Sequence, residues 1–421
     1  MLRQLNLKLP HITLTPWILW LGFLGILLLA ALVAGITVFW QGLSLTNLTD
    51  RVPWGLWITI DLSSIALSAG AFSLCAAVYL IGLKRYEPIA RTATFVGLIG
   101  YTMAMLSLLL DIGRPDRFWH AMIYWNSHSL LWEVTMCVML YLAVLILESM
   151  PIFARLDWLK KRFPAVTEKM SRVHHYAPYL AIAGLALSSL HQSSLGGVYG
   201  VLKARPVWYK PEMAVLFMLS AIIGGIALTL FASMLSARLT RRAITNDILI
   251  QRVAHFVGWA LVAYLYFRFW DVFAQHYTFE PGRTEGMELL TSGPLSFNFW
   301  VLEMLLGTLL PMVILLTPYT RRHPFWRMVA LSLIVIGVIA FRWDTNLSGL
   351  LVVMPYLPGQ QTVAYVSYVP SLIEVVAGLG IIAYGLLAFS LGVRYLNVVN
   401  HRLTTEAVKQ VAGELRETVP A

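Results

Sequence analysis

Cysteine is nearly absent. Cys75 and Cys137 are the only two in 421 residues, and both lie inside apolar runs. No C-x-x-C pair can be built from them, which excludes a cysteine-held iron–sulfur cluster, a zinc site or a disulfide-rich secreted domain. Any redox metal must therefore belong to partners. Charge is equally scarce: Asp, Glu, Lys and Arg make 12% of the chain, against roughly 25% in soluble domains. With 58% hydrophobic residues, 15 tryptophans and a mean hydropathy of +0.72, the chain is neither disordered nor a water-soluble enzyme. It reads as a polytopic membrane protein.

What is present is a series of long apolar runs. A bilayer core about 30 Å thick needs about 20 apolar helical residues, and such runs predict ten transmembrane helices at 16–40, 54–82, 90–110, 129–149, 176–190, 212–236, 248–273, 295–317, 325–341 and 368–393. The fifth and ninth are the shortest, at 15 and 17 residues. The first is too long for a signal-peptide core and predicts a retained anchor behind a 1–15 N-terminal segment. Of 31 Lys and Arg, 22 fall in the termini and the loops after even-numbered spans, and 7 in the alternate loops. Positive loops stay inside, so both termini, including the 394–421 tail, are expected to be cytoplasmic. Lys160-Lys161-Arg162 then marks an inner-face loop, and nothing in the chain calls for nucleic acid. Val408, Val411 and Leu415, at helical spacing, predict a tail lying on the inner membrane surface.

Charged groups in hydrocarbon cost at least about 2.5–3.5 kcal/mol each at mid-bilayer. On this topology Asp61, Asp111, Glu133, Glu212, Arg268, Asp271, Glu303, Arg342, Asp344 and Glu374 all fall toward the outer ends of their helices, and almost nothing ionisable remains in the inner halves. Arg268 and Asp271, at i and i+3, suit an ion pair that holds the bundle together. Asp61, Ser64 and Ser68 form one polar stripe that suits either helix packing or proton handling. Glu133, Cys137 and Tyr141 form another.

The loop between spans three and four is the richest in functional groups. It reads Asp111-Ile-Gly-Arg114-Pro-Asp-Arg117-Phe-Trp-His120, then Tyr124-Trp125-Asn-Ser-His128. An interfacial aromatic belt has this composition, and so does a quinone site. A quinone needs apolar and aromatic walls, donors to two carbonyl oxygens, and nearby carboxylate or imidazole groups for protons. His128 and Glu133 place a titratable pair at the mouth of span four.

A four-helix offset relates several features. His191-Gln192-Ser-Ser-Leu-Gly-Gly-Val198 parallels Trp343-Asp-Thr-Asn-Leu-Ser-Gly-Leu350, and Trp132-Glu133 parallels Trp300 and Glu303. The offset predicts two parallel-duplicated four-helix bundles, at 54–190 and 212–341, with spans one and ten peripheral.

Pro53-Trp54-Gly-Leu-Trp57 with Asp61, Ala69-Gly70-Ala71-Phe72, Asp111-Ile-Gly-Arg-Pro115 and His128-Ser-Leu-Leu-Trp132-Glu133 resemble motifs of the NrfD/polysulfide-reductase membrane-subunit family. The likeness covers nearly the whole chain. It is stronger to a ten-span branch that includes the membrane subunits of hydrogenase-2, of the DsrP complex and of the Qrc menaquinone reductase. The resemblance implies a quinone-reactive subunit of a respiratory oxidoreductase in the bacterial cytoplasmic membrane. Such a subunit uses menaquinone or ubiquinone as substrate, holds no haem or cluster of its own, and docks a ferredoxin-like iron–sulfur subunit, with a further catalytic or cytochrome subunit, on its outer face. By motif position it implies His128, Glu133, Asp61 and Asp111 as quinone-site or proton-handling residues. Arg114, Arg117, Tyr124, Trp125, His191 and Gln192 are candidate quinone contacts, and Ser64, Ser68, Arg268, Asp271, Glu303 and Glu374 candidate proton-route groups. The competing readings are a b-type cytochrome, which needs facing histidine pairs, a secondary transporter, which needs polar midplane sites, and a structural anchor.

Overall fold

The computed structural model describes residues 15–240, 246–354, 363–396 and 398–399. The N-terminal segment before Thr15 and the tail stripe Val408, Val411 and Leu415 lie outside the described residues. Ten long helices follow in order: one, Pro16–Gln41; two, Leu56–Tyr79; three, Glu87–Asp111; four, Leu130–Phe153; five, Ala177–Gly200; six, Glu212–Thr240; seven, Asp247–His276; eight, Asn298–Leu316; nine, Pro324–Ser348; and ten, Leu372–Tyr395. Nine of them are long and apolar enough to cross a membrane, and helix five is the exception. The protein is an all-α, multi-pass membrane protein.

Local signals explain the helix starts. Thr15, Ser129, Asn246 and Ser371 each accept a hydrogen bond from a backbone amide of the first turn they cap. Prolines occupy the first turns of helices one, three, five and nine, where a missing N–H costs nothing. Helix one is exposed along most of its length, with Ile26, Leu29 and Val33 outward, and it packs on helix ten as a lipid-facing pair. Helices two to five pack together, and helices six to nine form the second group.

Three expectations change. Helices five and nine are not short: they run 24 and 25 residues, because the polar segments expected as their exits continue the helix and are buried inside the protein. Helix two breaks at Ala69, between Leu56–Ser68 and Gly70–Tyr79. The break lies against Gly225 of helix six, where a Cβ on Gly225 would stand 2.8 Å from the Ala69 carbonyl carbon. The helix halves expected to be nearly free of ionisable groups carry some, since Glu148 of helix four, with Glu87 and Arg91 of helix three, lines a cavity there. Hydropathy averages had absorbed Glu148 into an apolar run.

Helix eight departs from α geometry over Asn298–Leu309, winding as a π-helix. The Thr308 hydroxyl donates to the carbonyl of Glu303, five residues back. Two short strands, Val352–Val353 and Ala364–Tyr365, pair antiparallel beyond helix nine.

Candidate functional site

Helices two to five enclose an apolar cavity of about 290 Å³ at the end where helices two and four begin and helices three and five finish. Ile58, Leu62, Ile65, Leu108, Val134 and Leu195 supply aliphatic wall, and Trp54, Phe118 and Tyr199 supply rings. Two carboxylates face it, Asp61 from one turn inside helix two and Asp111 from the end of helix three. One oxygen of each, Oδ1, is buried and accepts no hydrogen bond from the described residues. The two lie near enough to act on each other electrostatically, and Asp111 also senses Glu374. Buried carboxylate oxygens are costly unless paired or functional.

The ring wall is fixed from the second helix group. Trp54 stacks on Trp208 with centroids 5.9 Å apart, and Tyr199 meets Trp208 edge-on at 4.7 Å. The Tyr199 hydroxyl donates to Asn346 Oδ1 at 3.1 Å, and Asn346 Nδ2 donates to the Trp54 carbonyl at 3.0 Å. Sequence reasoning missed Tyr199, Trp208 and Asn346, because their partners lie over a hundred residues away.

The other expected residues divide by depth. Glu133 stands on helix four between the wall residues Leu131 and Val134 and accepts a 2.8 Å hydrogen bond from the Ser194 hydroxyl. His128 is exposed in the preceding loop, and no hydrogen bond joins it to Glu133 among the described residues. Arg114, Arg117, Tyr124 and Trp125 are also exposed, so this loop contributes only Phe118 to the wall between residues 113 and 130. Arg114 turns instead to Asp116 in a two-point ion pair at 2.9 and 3.0 Å. In the short helical turn 115–117, just before Phe118, the charged Asp116 and Arg117 are both exposed.

His191 and Gln192 lie deeper than the cavity and are fully buried. His191 Nδ1 shares a 2.9 Å hydrogen bond with the Tyr101 hydroxyl, and Gln192 Nε2 donates to the Ile65 carbonyl at 3.0 Å. Ser64 and Ser68 are buried beside Gly100 of helix three, and the Ser68 hydroxyl donates back to the Ser64 carbonyl. That bond belongs to helix packing.

The second group holds a compensated ionic cluster. Arg268 grips Glu303 through two nitrogens, at 2.8 and 3.2 Å, and Asp271 through a third at 2.6 Å. Lys210 bonds Asp271 at 2.5 Å, and the Tyr264 hydroxyl donates to Glu303 at 2.8 Å. Two cations meet two anions, all buried. Burial pushes the Lys210 ammonium below its ordinary value, while Asp271 pulls it back up. Glu374 belongs elsewhere: it accepts from the Asn47 amide at 2.7 Å and from the Tyr368 hydroxyl, and its carbonyl accepts from Trp57 Nε1. It thus ties helix ten to the first group. Among the described residues, no cluster of His, Cys, Asp and Glu is placed to hold a metal ion.

The sequence matches the polysulphide reductase NrfD family over residues 44–354, a stretch that holds both helix groups and leaves out the peripheral helices one and ten. The chain belongs to the NrfD family. Among its NrfD-type relatives is the menaquinone reductase integral membrane subunit of Nitratidesulfovibrio vulgaris, 33% identical over 92% of this chain and 93% of that one. The Hdr-like menaquinol oxidoreductase integral membrane subunit of Archaeoglobus fulgidus is 26% identical over 87% and 90%. The protein NrfD of Escherichia coli is 27% identical over 72% and 97%.

Proposed function

We propose that this chain is the quinone-reactive membrane subunit of a respiratory oxidoreductase complex, and that the cavity between helices two and five is its quinone site. The observation that carries this reading is the pairing of apolar and aromatic walls with two open carboxylate oxygens, in a chain whose relatives are named for menaquinone and menaquinol chemistry. Quinone reduction consumes two electrons and two protons. A peripheral iron–sulfur partner supplies the electrons one at a time, and Asp61 and Asp111 hand protons to the two ring oxygens. Quinol oxidation runs the same steps backwards. The protein positions the ring, exchanges protons and excludes water from the rest of the path.

On this reading both termini are cytoplasmic, as the basic loops favour, and the cavity mouth opens at the outer face of the bacterial inner membrane, where the partner docks. Glu133, one residue from the wall, is the relay between cavity and rim. A b-type cytochrome would need a second histidine facing His191, and helices two, three and four carry none. The test is inhibitor-sensitive electron transfer to a short-chain quinone in the purified complex. Activity lost in Asp61→Asn with analogue binding retained supports the site. No analogue binding by the wild-type complex overturns it.

A further inference from the structure

Helix ten packs on helices one, two and three, and between it and the end of helix four a groove of about 470 Å³ stays open. Leu98 and Ile99 of helix three, Phe153 and Leu156 at and just past the end of helix four, and Ala388 and Leu391 of helix ten form its sides. Phe95, 4% exposed, forms the back wall: its ring meets Phe153 edge-on at 6.3 Å and lies 6.5 Å from Phe389. Gly392 makes room for that ring, since a Cβ there would stand 2.2 Å from it. The groove follows helix ten from Tyr384 to Tyr395. At 1.5 Å per residue that is about 16 Å, close to the roughly 15 Å of hydrocarbon in one leaflet.

The two ends of the groove differ in chemistry. At the deep end the Tyr384 hydroxyl donates to Thr102 Oγ1 at 3.0 Å, and the Thr102 hydroxyl donates to the Ile99 carbonyl at 2.7 Å. Both protons are used within the protein, so this end offers a ligand apolar contact and no free donor. At the other end Arg155 and Arg394 are exposed beside the lining residues Leu156 and Tyr395, and neither forms an ion pair among the described residues. Arg394 lies over the rings of Trp17 and Tyr395, at 4.8 and 5.9 Å, and such aromatic groups favour headgroup depth. Arg155 is within electrostatic reach of Arg91, whose own partner is Glu87 at 3.8 Å. Just beyond, the short helix Asp157–Arg162 adds three exposed cations, Lys160, Lys161 and Arg162, against one acid, Asp157. An unpaired basic rim over a hydrocarbon slot one leaflet deep fits an anionic headgroup above an acyl chain.

We propose that one anionic phospholipid occupies this groove, with an acyl chain lying along helix ten against Phe95 and Ala388 and its phosphate at the rim formed by Arg155 and Arg394. The lipid fills the seam between helices four and ten, and so fastens the peripheral pair, helices one and ten, to the first helix group. A zwitterionic lipid has the same chains but brings the rim no net charge, so headgroup charge decides which lipid is held. The site shares no lining residue with the quinone cavity and does not depend on what that cavity binds.

The test strips lipid from the purified complex by repeated detergent exchange and counts, by native mass spectrometry, the phospholipid it rebinds. The wild type should hold one more phosphatidylglycerol per chain than Ala388→Trp, whose indole fills the slot, and should bind phosphatidylcholine about tenfold more weakly at that site. The double variant Arg155→Gln, Arg394→Gln changes only exposed positions and keeps the slot. It should bind phosphatidylglycerol roughly thirtyfold more weakly than the wild type, about fivefold for each charge removed. Equal retention of phosphatidylcholine overturns the proposal, and so does unchanged phosphatidylglycerol affinity in the double variant. A wild-type count in Ala388→Trp overturns the groove as the site. A wild-type complex that rebinds no phospholipid overturns it as well, and loss of a partner subunit from Ala388→Trp, in place of a lipid, overturns it in favour of a partner's transmembrane helix.

Discussion

Asp61 and Asp111 face one cavity from different settings. Asp61 is 3% exposed and reaches the cavity from within helix two, while Asp111 ends helix three beside the rim loop, near Glu374. Asp61→Asn keeps size and polarity but cannot carry a proton, so quinone turnover should fall by about an order of magnitude or more, with complex assembly intact by native gel. Glu133→Gln keeps an acceptor for Ser194 and should lower turnover by a similar factor, roughly tenfold. Normal steady-state rates in that variant would remove Glu133 from the relay. Asp61 was legible because an acid so deep in an apolar run has few bland explanations. Tyr199 was not, since a tyrosine near a helix end reads as interface until Asn346 is seen bonded to it.

Helices carry a different kind of information. Ten runs of apolar residues could be counted along the chain, because lipid-facing and buried positions are both apolar and sum to one signal. Helices five and nine were read short for the same reason. Hydropathy scores a buried His191, Gln192 or Asn346 as though it met solvent, although each is fully enclosed by neighbouring helices. The break in helix two at Ala69-Gly70 needed its partner to be interpretable: Gly225 of helix six lets the two groups meet backbone to backbone. Gly225→Leu would force that contact apart and should destabilise the folded chain by about 1–3 kcal/mol or more, as overpacking does. A lowered thermal midpoint for the detergent-purified complex, with quinone-site residues untouched, is the expected result.

Across the whole molecule, buried charge is met in different ways. Asp61, Asp111, Arg342 and Asp344 each keep a buried atom without a hydrogen bond among the described residues, whereas the Arg268 cluster closes its charges on one another. Arg268→Ala would leave Glu303 buried against Tyr264 alone, and removing one partner of a buried pair costs about 3–5 kcal/mol. The variant should therefore assemble poorly, and an unchanged thermal midpoint would argue against a structural cluster. The family and the membrane class were legible from composition and motifs. The Arg268–Asp271 pair was legible from its i,i+3 spacing, but its closure by Glu303 and Lys210 was not, because that depends on which helix and loop stand opposite.

The cluster also constrains how the protein is made. Arg268 and Asp271 leave the ribosome on helix seven, but Glu303 follows thirty-five residues later on helix eight. Until it arrives, the guanidinium lacks its two-point partner, and helix seven is an imperfect lodger in lipid. Helices seven and eight should accordingly be released into the bilayer as a pair, and a nascent chain stopped at residue 280 should remain held at the insertion machinery.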